Sequence, residues 1–361
     1  MKVNKFWLIY IVIKLFYMFS ALFVYSRFTK LGDTKGYLSG LEYDLNIVFL
    51  NSTHMMSFLG SSLSFFLGPT FANLPFLFLS IYGIFYAVKR LKLNNRELFL
   101  LLAILSFPSF GIWTSIASKE AVAVFFMGII LGFIIDLIKR NPNKNHFLVV
   151  IAFYLCIVFK PQYLIGIGSL IVFHYMCRKF SLNGIGKLAL LGFFFILSFF
   201  SLYIFRHEIN ELSFIMPIHF SLEAGSTREN TIWLDDFDVF WNAPYGMFIS
   251  FFGPTVNEAL AKPTHLLAFI ESLFIILVFF YGLLKLTLMS INIGRLNVYY
   301  LGIFLTAALW ILFVHYPFGA LNPGSAIRYR EAFYAFLVIL FYFGYTEVKR
   351  RYHIEKLMQS E

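Results

Sequence analysis

The chain has 361 residues, of which 60% are hydrophobic and only 13% are charged. A soluble domain carries about 25% charged residues, so this composition excludes a soluble enzyme, a disordered protein and a fibrous protein. The formal net charge is +10, but most of the basic residues lie in short loops between apolar segments, which indicates membrane topology rather than nucleic-acid binding. The sequence therefore predicts an all-α fold, a polytopic bundle of transmembrane helices that forms a single domain over residues 1–361.

Ten apolar segments are predicted to cross the membrane, in chain order 6–26, 71–88, 97–115, 120–138, 147–159, 163–177, 188–205, 264–284, 298–316 and 332–348. The first is too long for the apolar part of a signal peptide and has no small-residue cleavage site after it, so we expect an uncleaved span. Residues 45–70 are apolar but interrupted by polar residues, and we expect an interfacial or re-entrant segment there.

The basic residues predict the orientation of these spans. Of the 29 Lys and Arg residues, 18 lie on one side and ten on the other, with Lys14 inside the first span. The positive-inside rule places the richer side in the cytoplasm, so both termini are predicted to be cytoplasmic. The longest hydrophilic segment, 206–246, is then the main loop on the outer side.

The predicted spans 147–159 and 163–177 are short. A helix of 13 residues covers about 20 Å, whereas the hydrocarbon core is about 30 Å thick. The turn that joins them, which contains Lys160 and Gln162, is therefore expected to lie below the membrane surface. A lysine is tolerated there where it faces a wet cavity, so both residues are candidates for binding a substrate.

An acidic turn follows the first span. Asp33 lies in the sequence Leu31–Tyr37 on the outer side, where a carboxylate can take a proton from a hydroxyl nucleophile, helped by partial burial. The alternative is an ordinary solvated turn, since Gly-Asp pairs are common in turns.

The start of the span 120–138 carries an unusual cation. Ser115 or Ser118 can cap the helix, and Lys119 then lies in its first turn, where a positive charge opposes the helix dipole. Lys119 followed by Glu120 is explained if the helix start binds a phosphate. Otherwise, Lys119 extends to the interface and pairs with Glu120 or another acid.

Further outer charges precede or enter the later spans. Arg328 and Arg330 lie in a tight loop and can hold phosphate oxygens with forked hydrogen bonds, or they pair with Glu331 and the acidic 206–246 loop. Arg228 ends a stretch, 224–228, that resembles an anion-binding turn. Glu271 is an intramembrane carboxylate and thus a functional candidate, unless it pairs with Lys14 or an arginine for packing.

Other classes of site are not indicated. The sequence has no Walker A motif, no HExxH motif and no glycine-rich nucleotide loop, and its eight histidines are scattered. Its two cysteines provide neither a disulfide framework nor a metal site. We therefore expect no metal and no cofactor.

Three stretches together resemble the O-antigen polymerases of bacterial polysaccharide assembly, the Wzy family, whose architecture is close to that of the GT-C glycosyltransferases that use lipid-linked sugars. They are Pro108-Ser109 with Trp113-Thr114-Ser115 and Ser118-Lys119-Glu120, Phe252-Gly253-Pro254 with Leu266-Leu267-Ala268 and Ile270-Glu271-Ser272-Leu273, and Asn322-Pro323-Gly324 with Arg328-Tyr329-Arg330. Asp33 matches the acidic residue that GT-C enzymes carry in their first outer loop.

The resemblance implies a multi-pass enzyme of the bacterial inner membrane, active in lipopolysaccharide biosynthesis, with 206–246 as its main periplasmic loop. It would join oligosaccharide repeat units carried on undecaprenyl pyrophosphate. Arg328 and Arg330, with Lys119, Lys160 or Arg228, would stabilise the leaving pyrophosphate, and Asp33 or an acid of 206–246 would deprotonate the acceptor. Membrane lipid, a chain-length regulator and a flippase are the implied partners.

Three alternatives stay open. A GT-C glycosyltransferase would transfer one sugar from a polyprenyl phosphate and would share Asp33. A flippase for the lipid-linked oligosaccharide would show about twelve spans and repeat symmetry, and no repeat is visible here. A non-catalytic assembly subunit would leave the outer arginines without a function.

Overall fold

The computed structural model describes residues 4–40, 43–142, 145–220, 228–292 and 298–360. Within these ranges the regular elements are helices, which confirms the predicted all-α class. The α-helices are α1 (Lys5–Phe23), α2 (Thr34–Ser39), α3 (Ser52–Phe71), α4 (Leu74–Val88), α5 (Asn95–Ile104), α6 (Pro108–Trp113), α7 (Lys119–Lys139), α8 (His146–Phe159), α9 (Tyr163–Lys179), α10 (Gly184–Ile204), α11 (Arg206–His219), α12 (Asp238–Trp241), α13 (Ala243–Phe252), α14 (Val256–Ala261), α15 (Pro263–Asn292), α16 (Val298–Ala320) and α17 (Pro323–Ser360).

Several of these helices mark the chain as a membrane protein. In the described part of the chain, seven segments are long and apolar enough to cross a bilayer: Lys5–Arg27, Leu74–Leu91, Lys119–Lys139, Gly184–Ile204, Pro263–Ile291, Val298–Ala320 and Pro323–Met358. Helices α8 and α9 also form where spans were predicted, but they have only 14 and 17 residues. Ten crossings and cytoplasmic termini thus stay predictions.

The predicted span 97–115 is wrong as a single helix. The structure divides it into α5 and α6, with Phe107 in an extended conformation between them. A proline disfavours helical geometry in the residue before it, and Pro108 then begins the next helix at its first position. Residues 114–118 continue without helix until α7 starts at Lys119.

The segment 45–70 is more helical than expected. Helix α3 has 20 residues, although it is less apolar than the seven candidate spans, and it is kinked where Gly68 adopts φ 74° before Pro69. An L side chain at this position would be strained, so glycine permits the kink. An interfacial location for this helix stays a prediction.

The helices form two compact units. The first comprises Met1–Leu164 with Glu331–Ile339, and the second comprises Ile165–Arg330 with Leu340–Glu361. Helix α17 contributes residues to both units. The prediction of a single domain is not tested by this division and stays a prediction.

The first unit is organised around α7, most of whose residues are buried. Helix α4 packs against it so closely that a Cβ atom on Gly128 would lie 2.3 Å from the carbonyl oxygen of Gly83. Small residues at a helix interface let two backbones approach, which is how apolar helices pack in lipid.

The second unit contains most of the segment 206–246 that we predicted as a loop. In its described residues this segment forms α11, α12 and the start of α13, and its apolar side chains pack on α16. Trp233 lies 5.6 Å from the Tyr316 ring, and the Tyr316 hydroxyl donates to the Val239 carbonyl. The described residues of this segment are therefore a folded part of the second unit.

Candidate functional site

Arg228 forms an ion pair with Glu258 in the second unit. Its guanidinium donates to both carboxylate oxygens of Glu258, at 2.7 and 2.8 Å, and also to the carbonyls of Gly319 and Ala320. These carbonyls end α16, where helical carbonyls lack partners within the helix. Arg228 therefore ties three parts of the chain together. The predicted anion-binding turn at 224–227 lies outside the described residues.

Glu258 is held in position from its own helix as well. Thr255 caps α14, and the Thr255 N–H donates to the Glu258 carboxylate in a reciprocal capping box. Burial raises the pKa of Glu258, but hydrogen bonds from Arg228 and Thr255 together with the charge of Arg228 outweigh it, and the pKa is lowered. Glu258 is therefore an anion at neutral pH.

Arg330 is almost completely buried, with 1% of its surface exposed. Its Nη1 donates to the Phe251 carbonyl at 3.1 Å and to the Ser272 hydroxyl at 2.8 Å, and its Nη2 pairs with the Glu271 carboxylate at 3.4 Å. Of the two pairing partners predicted for Glu271, Lys14 and an arginine, the arginine is the one observed. A functional role for Glu271 stays a prediction. Arg330 thereby connects α17 to the end of α13 and to α15. Its action on a substrate stays a prediction.

Arg328 differs from Arg330 in its surroundings. It is half-buried, and its guanidinium carbon lies 5.2 Å from the centre of the Tyr329 ring. The expected tight loop around the two arginines is wrong, because α17 already begins at Pro323, where the Asn322 side chain accepts a hydrogen bond from the Ser325 N–H. Residues two apart on a helix do not face each other, so the two arginines do not form one fork.

Asp33 lies immediately before α2 in the first unit. It is exposed, and it accepts a hydrogen bond of 3.3 Å from the Tyr37 hydroxyl. The partial burial that was expected to help a general base is not observed. Its role as a base stays a prediction.

Lys119 and Glu120 follow the cap of α7. The Ser118 hydroxyl accepts from the Ala121 N–H at 3.0 Å, which confirms one of the two predicted caps. The Lys119 ammonium donates to the Thr53 hydroxyl on α3 at 2.7 Å, whereas Glu120 is completely buried. Binding of a phosphate by Lys119 and Glu120 stays a prediction.

The non-helical segment 114–118 before this cap is buried. Ser80 donates to the Thr114 carbonyl at 2.7 Å, and the Ala117 N–H donates to the Asn73 side chain at 2.8 Å. Non-helical backbone in a membrane protein is tolerated where protein groups satisfy it. Sequence reasoning did not identify these two partners, because Ser80 and Asn73 lie at least 34 residues away in the chain.

Lys14 contacts the same segment. This lysine of α1 is 0% exposed, its ammonium donates to the Thr114 hydroxyl, and it lies 5.3 Å from the centre of the Phe110 ring. Glu331, which is 1% exposed, interacts electrostatically with it. The first unit therefore contains a buried lysine and a buried glutamate that interact electrostatically.

Lys160 and Gln162 lie in the turn between α8 and α9, and both are half-buried. The turn is short, since the Lys160 carbonyl accepts from the Tyr163 N–H at 3.0 Å. The predicted short turn is therefore observed. The depth of the turn in a membrane stays a prediction.

The second unit also holds an apolar groove that the sequence did not indicate. A cavity of about 720 Å³ lies between α10, α11 and α16. It shares Leu202, Trp310 and Phe313 with a second cavity of about 150 Å³. Together they follow α16 from Leu305 to Phe318, a length of about 20 Å. We call this the α16 groove.

The described residues contain no group of three or more His, Cys, Asp or Glu side chains able to hold a metal ion. No protein-family model, no curated protein and no solved structure matches this sequence.

Proposed function

We propose that this protein is a membrane-embedded glycosyltransferase that joins surface-polysaccharide repeat units carried on undecaprenyl pyrophosphate. In this proposal it is an O-antigen polymerase that acts at the periplasmic face of a bacterial inner membrane. The observation that carries the proposal is the α16 groove in the second unit, which is mostly apolar and ends beside the ion pair of Arg228 and Glu258.

The groove suits a polyprenyl tail. Its lining is mostly apolar, and Glu208 is the one charged side chain among the described residues that line it. Burial of an apolar chain against apolar surface is favourable. Its length of about 20 Å accommodates several isoprene units, and the rest of the tail can extend into the bilayer.

The end of the groove suits a charged head group. Pro317 and Phe318 line it, and they directly precede Gly319 and Ala320, whose carbonyls bind Arg228. A substrate with a long apolar tail and an anionic, glycosylated head matches this change from apolar to charged surroundings. Such a molecule is what the sequence resemblance to lipid-linked glycan polymerases implies.

The arginines have different roles in this proposal. Arg328 is half-buried, and it contributes charge to bind and stabilise the departing pyrophosphate. Arg330 holds the start of α17 in place through Glu271 and Ser272. Asp33 stays the predicted base, and no cofactor is required because the pyrophosphate bond supplies the free energy.

A GT-C glycosyltransferase that uses a polyprenyl-phosphate sugar is the second candidate. The same groove favours it, because its donor also combines a polyprenyl tail with an anionic head. The two candidates differ in their product, since a polymerase lengthens a chain of repeat units and a single-sugar transferase completes each unit.

The experiment is complementation of a deletion strain in the native host, with surface glycan length read on a gel. We expect the deletion to reduce the ladder to core plus one repeat unit, and Arg328→Ala at normal protein level to do the same. Val314→Trp, which fills the groove, should shorten the ladder.

Two matched variants serve as controls. Arg27→Ala removes an exposed arginine of the first unit that is also predicted to lie on the outer side. Leu288→Trp enlarges an exposed apolar residue outside the groove. Both variants should preserve the ladder. Loss of every repeat unit on deletion would favour the single-sugar transferase. An unchanged ladder on deletion would refute a role in glycan assembly.

A further inference from the structure

A second apolar groove lies in the first unit, between α1 and α4. It has a volume of about 890 Å³ and is lined by Trp7 and Ile11 from α1 and by Leu79, Tyr82 and Phe85 from α4, among others. Its α4 side runs from Pro75 to Lys89, about 21 Å at the helical rise per residue. We call it the α4 groove.

Both helices that form the α4 groove are candidate membrane spans. Tyr82 remains 43% exposed. The groove therefore covers about two-thirds of the thickness of a hydrocarbon core of about 30 Å, and it is open to the surroundings of the protein. An apolar chain is the occupant that such walls accept.

One end of the α4 groove is charged. Lys89 is the single charged side chain among the described residues that line it, and its ammonium lies 5.9 Å from the Phe85 ring. Phe85 in turn lies 5.1 Å from Trp7, so this end is where α1 begins and α4 ends. Asn4 adds a polar side chain at the same end.

Lys89 is the cation that lines the groove, whereas the neighbouring Arg90 is paired with an acid. Arg90, the next residue, is bound to Asp136 at 2.6 Å and lies 3.6 Å from the Tyr86 ring. No carboxylate lines the groove within the described ranges. An occupant with an apolar chain and an anionic head would thus match the walls of the groove and its charged end.

We propose that the α4 groove binds an acidic glycerophospholipid, with an acyl chain along Leu79 and Tyr82 and the anionic head group at Lys89. A basic residue at the membrane surface attracts anionic lipid, and one lysine favours it about fivefold. The site is formed by the first unit alone, so this inference does not depend on the glycosyl transfer proposed above.

Native mass spectrometry of the full chain in detergent tests this proposal. The protein is mixed with equal amounts of phosphatidylglycerol and phosphatidylcholine that carry the same acyl chains. We expect about fivefold more bound phosphatidylglycerol. This preference should disappear in Lys89→Gln and return in Lys89→Arg, which keeps the charge. Leu79→Trp, which fills the groove, should reduce phosphatidylglycerol binding.

The control variants are Lys285→Gln, which removes an exposed lysine in α15, and Leu288→Trp on the same helix; both should bind lipid as the wild type does. Equal binding of the two lipids to the wild type would overturn the proposal, and so would an unchanged preference in Lys89→Gln. Thermal unfolding of each variant identifies misfolding. If Lys89→Gln were misfolded, unchanged phosphatidylglycerol binding by folded Leu79→Trp would refute the site.

Discussion

Arg330 and Glu271 form an ion pair inside the second unit, with Nη2 3.4 Å from Oε2 and side-chain exposures of only 2% and 5%. The guanidinium also donates to the Ser272 hydroxyl and to the Phe251 carbonyl. Removing one member of a buried pair leaves an uncompensated charge. Breaking such a pair costs about 3–5 kcal/mol, and replacing both members with apolar residues of similar volume is often neutral.

We therefore expect Glu271→Ala and Arg330→Ala each to destabilise the protein by about 3–5 kcal/mol. The double variant Arg330→Met with Glu271→Leu should recover most of this loss. Thermal and denaturant unfolding of the purified protein in detergent measures the effect. Arg328→Ala, at a half-buried position, is the comparison and should change stability by less than about 1 kcal/mol.

Activity of the double variant separates positioning from catalysis. If Arg330 only holds α17, the double variant should retain a polysaccharide ladder. A folded double variant without a ladder would instead support the sequence prediction that Arg330 acts on the substrate.

The buried pair of Lys14 and Glu331 provides a second test, in the first unit. Lys14→Met removes a side chain whose Nζ donates to Thr114 and which interacts electrostatically with Glu331. We expect Lys14→Met and Glu331→Gln to be destabilising singly and their combination to be less so than their sum. The coupling should be about 0.5–3 kcal/mol, measured by a double-mutant cycle. Strict additivity would show that the two residues are independent.

Long helices were predictable from the sequence because the length and the hydropathy of an apolar segment are both properties of consecutive residues. Helices α7, α10 and α16 begin or end within about four residues of the predicted spans, and the cap at Ser118 follows from the preference of helix starts for serine. The division of 97–115 was missed because hydropathy averages over Pro108. In the non-helical segment 114–118, Ser80 and Asn73 satisfy two polar backbone groups, and a local sequence window does not contain these partners.

The candidate site was only partly predictable for a similar reason. The intramembrane position of Glu271 identifies it as a residue that needs a partner, but the choice between Lys14 and an arginine depends on how distant helices pack. Neither apolar groove was predicted, because the residue types that line a cavity are the same as those that fill a core. Exposure of Asp33 likewise depends on tertiary structure.

Close packing of α4 on α7 predicts an intolerant glycine. In Gly128→Ala the new Cβ would lie 2.3 Å from the Gly83 carbonyl oxygen, and backbone has little room to yield. We expect a loss of about 1–3 kcal/mol, since overpacking forces the backbone to shift. The matched control is Gly192→Ala in α10, where a Cβ meets no atom within 4 Å. Equal stabilities of the two variants would contradict the observed approach of the helices.

Acid sensitivity should arise in part from Glu258. Its pKa is lowered in the folded protein, so the unfolded chain binds more protons at acidic pH and stability falls as pH falls. The contribution of the Glu258 ion pair is complete above the unfolded-state pKa of about 4.3 and is lost as pH decreases through the lower folded-state pKa.

Glu258→Gln should therefore be less stable than the wild type at pH 7, and its stability should depend less on pH below about 4.3. Unfolding midpoints from pH 7 to pH 3 measure this, with Glu229→Gln, at an exposed acid, as the control that keeps the wild-type profile. An unchanged acid profile in Glu258→Gln would show that the Arg228 pair does not contribute to the pH dependence of folding.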